Sequence, residues 1–171
     1  MNKIFISVIG VIIGVAGWLT ILNNNAPKEI ADQAQLQKAL DFELRDYNDK
    51  IVKLSDFANK PLVINSWAVW CPFCVDEIPD FVRAQEEFGE KVKIILINRA
   101  ESLDVAKKFS DEVGVSKQLL LLLDPSDSFY RAIGGFSMPE TIFVDVDGNI
   151  VIHKRGPMRL PEIREKINQI I

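Results

Sequence analysis

Apolar and polar positions divide the chain into one long uncharged stretch followed by an alternation of strand-like and helix-like segments. Ile4–Leu22 carries no charge over about 19 positions, enough to cross a bilayer as a helix. Asn23 to Gln37 is polar, with Pro27 near its start, and reads as a tether. Phe42-Glu43-Leu44 and Ile51-Val52-Lys53-Leu54 alternate around Asp46-Tyr47-Asn48-Asp49, which predicts a hairpin. Leu54-Ser55-Asp56-Phe57 then opens a short helix capped by Ser55. Leu62–Trp67 begins with the apolar run of a buried strand. From Cys71 to Phe88 the apolar residues Val75, Ile78, Val82 and Phe88 recur at helical spacing.

The second half repeats this alternation. Val92–Ile97 is apolar enough for a strand buried on both faces, and Asn98-Arg99-Ala100-Glu101 reads as the loop at its C-terminal end. In that loop Arg99 and Glu101 are solvated or contact a partner. Ser102 caps a helix running to Val113, with Leu103, Ala106 and Phe109 inward and Gly114 as its stop. Leu119–Leu123 is a buried strand, far too short to span a membrane. Ser126–Ala132 is a short helix ended by Gly134-Gly135. Thr141–Asp145 and Ile150–His153 flank Val146-Asp147-Gly148-Asn149, a strong hairpin signal. His153 therefore belongs to a surface or edge position. Leu160–Ile171 closes the chain as an amphipathic helix, with Ile163, Ile167 and Ile170 inward. The expected organisation is an anchor at 1–22, a tether at 23–37 and one α/β domain at 38–171.

Composition adds little to this picture. A net charge of −4 and 48% hydrophobic residues give a globular domain no basis for nucleic-acid binding. The two cysteines change it more. Cys71 and Cys74 are the only ones in the chain, two residues apart, where a strand hands over to a helix N-terminus. Unpaired N–H groups and the helix dipole favour a thiolate there. Pro72 sits in the first turn, where its missing N–H costs nothing. Cys74, one turn on, is within reach of Cys71. Two other readings compete. Zinc would need a fourth ligand beyond the two cysteines and His153, the only histidine, so no metal site is assigned. A static bridge across two residues would restrict the unfolded chain very little. A redox-active Cys71–Cys74 disulfide, with no bound cofactor, is the preferred reading.

The stretch Trp70-Cys71-Pro72-Phe73-Cys74, with Pro79 five residues later and Met138-Pro139-Glu140-Thr141 before a strand, resembles the thioredoxin superfamily. Within it, Cys71 to Pro79 resembles the membrane-anchored reductases of the TlpA, ResA and CcmG type, whose pattern is WCxxCxxE followed by an apolar residue and proline. Asn65 stands where thioredoxin itself has a buried aspartate, and this departure fits the ResA-like branch. The resemblance covers about Leu40 to the C-terminus. It implies a thioredoxin-like α/β fold, a central mixed sheet with flanking helices and an N-terminal hairpin extension, preceded by one transmembrane helix. It implies Cys71 as nucleophile, Cys74 as resolving thiol and Glu77 as a functional carboxylate. Trp70, Pro72, Phe73, Met138 and Pro139 would meet the substrate, with the Met138–Pro139 bond cis.

The expected activity is that of an extracytoplasmic protein-disulfide reductase. The domain would lie on the periplasmic side of a bacterial cytoplasmic membrane, held by its N-terminal helix. A cleaved signal peptide is the alternative for 1–22, but Asn23–Pro27 lacks a small-x-small cleavage site. The resemblance implies protein disulfides as substrates, for example the haem-site cysteines of apocytochrome c. It also implies a membrane thiol transporter of the CcdA or DsbD kind as electron donor. A thiol oxidase or isomerase remains an alternative, as does a copper-binding assembly factor using Cys71, Cys74 and His153 or a methionine. A peroxidase is disfavoured because the chain has no Thr-x-x-Cys.

Overall fold

The computed structural model describes residues 37–171. The expected anchor at 1–22 and the tether up to residue 36 lie outside the described residues. Among the described residues no helix is long and apolar enough to cross a membrane.

Seven strands form one sheet: β1 (Glu43–Asp46), β2 (Ile51–Lys53), β3 (Leu62–Trp67), β4 (Lys93–Arg99), β5 (Leu120–Asp124), β6 (Glu140–Val144) and β7 (Ile150–Arg155). Their spatial order is β2-β1-β5-β4-β3-β6-β7. β3, β4 and β5 are parallel, whereas β6 runs antiparallel to β3, and β7 to β6. The expected hairpin β1–β2 adds antiparallel to β5. Among the described residues four α-helices flank the sheet: α1 (Pro72–Phe88), α2 (Leu103–Glu112), α3 (Ser128–Ala132) and α4 (Leu160–Ile167). This is the mixed sheet with flanking helices, extended by an N-terminal hairpin, that the resemblance implies.

Side-chain alternation along the central strands explains the two cores. Val63, Ile94, Leu96, Leu121 and Phe143 point to one face, under α1, α2 and α4. Their neighbours Ile64, Ile95, Ile97, Leu122 and Ile142 point to the other, under α3 and the hairpin residues Leu44 and Val52. Covering both faces is what makes the central strands read as continuous apolar runs. Pro79 lies inside α1 and offers no N–H to the Val75 carbonyl one turn back. Gly114, in the left-handed region at φ 78°, follows α2 and lets the chain leave the helix.

Three local expectations need correction. Ser55 does not cap the 3-10 turn Leu54–Phe57; the Asp56 carboxylate takes the Lys53 N–H at 2.9 Å instead. Asn98 and Arg99 belong to β4 rather than to a loop, because Trp67 and Asp124 of the flanking strands continue the ladder beside them. α4 stops at Ile167, where i→i−3 bonds tighten the last turn, although Ile170 still packs inward. His153 lies on the edge strand β7, as expected, and is half-buried there, with Nε2 3.3 Å from Glu140 Oε1.

Candidate active site

β3 ends at Trp67, and Ala68-Val69-Trp70 carries the chain to the N-terminus of α1, beyond the C-terminal edge of the parallel strands. Open α/β sheets bind ligands at that edge. Cys71 is the N-cap residue of α1, Pro72 occupies its first turn, and the Cys74 N–H donates to Cys71 Sγ at 3.2 Å. Negative charge developing on that sulfur therefore meets a helix N–H and the positive end of the dipole. Cys71 and Cys74 are joined as a disulfide, with Cα atoms 5.3 Å apart. Cys71 is far less open than expected of an attacking thiol, at 4% exposure, but Cys74 is fully buried. Trp70, Pro72 and Phe73 project into solvent around the pair. The Met138–Pro139 bond is cis, Pro139 is buried, and Met138 packs against the core cluster that contains Cys71. The register Ser66↔Glu140 brings this loop to the same end of the sheet as the cysteines.

Glu77 lies on α1, one turn beyond Cys74, and is closed off from solvent. Its Oε1 accepts from Asn65 Nδ2 at 2.8 Å, and its Oε2 from the Met158 N–H at 2.9 Å. Burial pushes its pKa up to about 7, against the opposing pull of the Met158 and Asn65 hydrogen bonds and of Lys154 and Arg159. Asn65 also donates to Thr141 Oγ1 at 3.0 Å, so the amide links the active-site helix to β6. A solvated carboxylate is thus ruled out for Glu77 by its position. A cavity of about 410 Å³ lies elsewhere, between Lys38–Leu62 and the β6–β7 turn, and touches none of these residues.

Other parts of the site were not foreseen. Glu101 turns inward: Oε2 accepts from the Val69 N–H at 2.9 Å and from Asn98 Nδ2 at 2.7 Å, tying down the loop that leads to Cys71. Arg99 does not reach solvent as a loop residue; it pairs with Asp127 and its guanidinium sits 3.7 Å from the Tyr130 ring centroid. Met158 was invisible as a partner because it contributes only its backbone. Glu140 has a signal in the sequence, a charged residue at the start of a strand that is buried throughout. Among the described residues no group of three or more His, Cys, Asp or Glu side chains is placed to hold a metal ion.

The AhpC/TSA family pattern matches residues 36–153. The chain belongs to this family. It is 28% identical over 153 residues to the thiol-disulfide oxidoreductase ResA of Halalkalibacterium halodurans, covering 88% of this chain and 85% of that protein. It is 29% identical over 170 residues to the thiol:disulfide interchange protein DsbE of Allochromatium vinosum, covering 95% and 90%. The exposed lipoprotein thioredoxin of Streptococcus pneumoniae superposes with a TM-score of 0.69 at 27% identity, over 76% of this chain and 99% of that one. These relatives and the closed cysteine pair together make the chain a thioredoxin-like thiol-disulfide oxidoreductase of the ResA/DsbE type within its family.

Proposed function

We propose that the chain is a membrane-anchored, extracytoplasmic reductase of protein disulfides. The Cys71 thiolate attacks one sulfur of a partner disulfide, forming a mixed disulfide and releasing the other sulfur as a thiolate. Cys74 then gives its proton to Glu77 and attacks Cys71 Sγ. That step breaks the mixed disulfide, releases the second partner thiolate and leaves Cys71–Cys74 oxidised. Two electrons have passed to the partner, and a second dithiol protein must return them. Trp70, Pro72, Phe73, Met138 and Pro139 form the surface that the partner crosses.

The observation that carries this reading is the buried Glu77, one turn from Cys74, with a pKa near neutrality. A carboxyl of that kind can take up a thiol proton at physiological pH. The resemblance to TlpA, ResA and CcmG proteins supports the finer points. These are the reducing direction, a transporter of the CcdA or DsbD kind as donor, and apocytochrome c as a candidate substrate. The uncharged run Ile4–Leu22 supports the anchor and the location outside the cytoplasm.

Equilibration of the full chain against glutathione buffers tests the direction. A midpoint near or below about −220 mV is expected of a reductase, and one near about −120 mV makes it an oxidant. Cys74→Ser should trap a mixed disulfide through Cys71 in cells, and recovery of no attached protein would count against the exchange cycle.

A further inference from the structure

Phe136 is the most exposed large apolar side chain among the described residues with such exposure, at 88%. A single exposed phenylalanine on a surface is ordinary. This one is set apart by its place and its support. It lies two residues before Met138, in the segment that enters β6 at the cysteine end of the sheet. Its own N–H donates to Glu140 Oε2 at 3.0 Å, and Glu140 Oε1 accepts from Arg155 Nε at 2.7 Å. The Tyr130 hydroxyl donates to the Ser137 carbonyl at 2.8 Å. Gly135 packs so closely on the Tyr130 ring that a Cβ there would stand 2.5 Å from it. The backbone on both sides of Phe136 is therefore fixed, and its ring is held out in water.

Trp70 and Phe73 are the other large apolar side chains exposed beside the disulfide, at 59% and 60%. Cys71 itself is nearly closed off, so a partner chain that brings a sulfur to it lies close to the loops around it. The segment Gly134-Gly135-Phe136-Ser137-Met138 carries no charge to attract a polar neighbour of that sulfur. We infer that Phe136 is a specificity-determining contact, seated against an apolar side chain that flanks the target cysteine in an extended partner segment. The inference rests on the exchange reaction proposed above and names the class of substrate it prefers. An aromatic pair of this kind adds attraction beyond the area it buries, and a charged residue at the same place would lose its hydration beside a guanidinium, Arg155, that Glu140 already neutralises.

The test uses the reduced full chain and two short peptides, each with one cysteine held as a mixed disulfide with thionitrobenzoate. One peptide carries phenylalanine before the cysteine, and the other carries aspartate. Release of the yellow thiolate gives the second-order rate constant of this stoichiometric exchange, and cystamine serves as a small disulfide without flanking residues. Wild type should prefer the phenylalanine peptide by about tenfold. Phe136→Ser should abolish that preference while leaving the cystamine rate and the unfolding midpoint unchanged, and Phe136→Leu should keep most of it. An unchanged preference in Phe136→Ser overturns the contact, as does an equal loss on both peptides. The cystamine rate reports the exchange reaction separately, so its loss in wild type would fall on that reaction. Dimerisation of wild type that Phe136→Ser abolishes, with no change in peptide preference, would assign the ring to a second copy of this chain and also overturn the inference.

Discussion

Glu77 on α1 and Glu140 at the start of β6 are both closed off from solvent, and the fold surrounds them differently. Glu140 faces a guanidinium at 2.7 Å and the His153 ring at 3.3 Å, and it also takes a backbone N–H. Glu77 has only the amide of Asn65 and the N–H of Met158 in contact, while Lys154 and Arg159 act on it from a distance. A buried carboxylate needs compensation for lost hydration, and a directly bound cation supplies more of it than neutral dipoles do. Full burial alone therefore does not mark a proton-transfer group. What suits Glu77 to the proposed proton transfer is burial with neutral donors in contact, one turn from Cys74. Glu140 is instead a brace for the loop that carries Phe136 and the Met138–Pro139 bond.

The largest effect that would sharpen this contrast is on stability against pH. Burial raises the Glu77 pKa from 4.5 to about 7, so the folded state holds its proton where the unfolded state has released it. Stability from this group is fully present below pH 4.5 and is lost as pH rises to 7. The loss amounts to about 3 kcal/mol. Urea unfolding of wild type and Glu77→Gln from pH 4 to 8 should show that difference opening over this window. Parallel curves would break the contrast.

The next effect is on chemistry. Glu77→Gln should slow resolution of the mixed disulfide about a hundredfold near neutral pH, whereas Glu140→Gln should leave that step within about twofold. Stopped-flow release of the second partner thiol measures it. The same Glu77→Gln change should lower the apparent pKa of Cys71, because a nearby negative charge opposes thiolate formation. Iodoacetamide alkylation across pH reads this as a coupled profile. Equal slowing by both substitutions would mean that Glu140 shares the proton.

The third effect is structural. Glu140→Gln leaves Arg155 without a carboxylate and should cost about 2 kcal/mol at neutral pH. It should also loosen the 134–140 loop, which amide hydrogen exchange would register as faster exchange at Phe136. No change at Phe136 would mean that Tyr130 holds the loop alone. The smallest effect belongs to Arg155→Lys, which keeps the charge but loses the planar fork and should cost about 0.5 kcal/mol.

The sequence was informative where the deciding partners are close along the chain. Leu62–Trp67 and the helix after Cys71 follow from local pattern, and their bounds in the structure match to within a residue. The Asp147-Gly148 turn likewise names its own hairpin. Prediction failed where partners are remote. Glu101 is the loop residue it looked like, but it is not solvated, because it binds the Val69 N–H 32 residues away. Glu77 is more deeply buried than its helical neighbours suggested, since Met158 closes over it from 81 residues further on. Arg99 finds Asp127 across a crossover between strands. Ser55 lost its capping role to Asp56 by the choice of a single turn's register. Periodicity reports which face is apolar, but it does not report which charge on the other face will be covered.

The order of the strands leaves β2 and β7 as the two margins of the sheet, and each invites another chain to add on through unused backbone groups. β2 is only three residues long and ends in Lys53. β7 is longer, but Gln37–Ala39 lies against its beginning, through Ile150 N to Gln37 O at 2.8 Å and a bridge between Lys38 and Asn149. The open remainder carries His153, Lys154 and Arg155 in succession. A second molecule pairing there would meet the side chains of Lys154 and Arg155, held in ion pairs with Glu162 and Glu140. Short length at one margin and charged side chains at the other are features that discourage edge-to-edge pairing between copies of the domain.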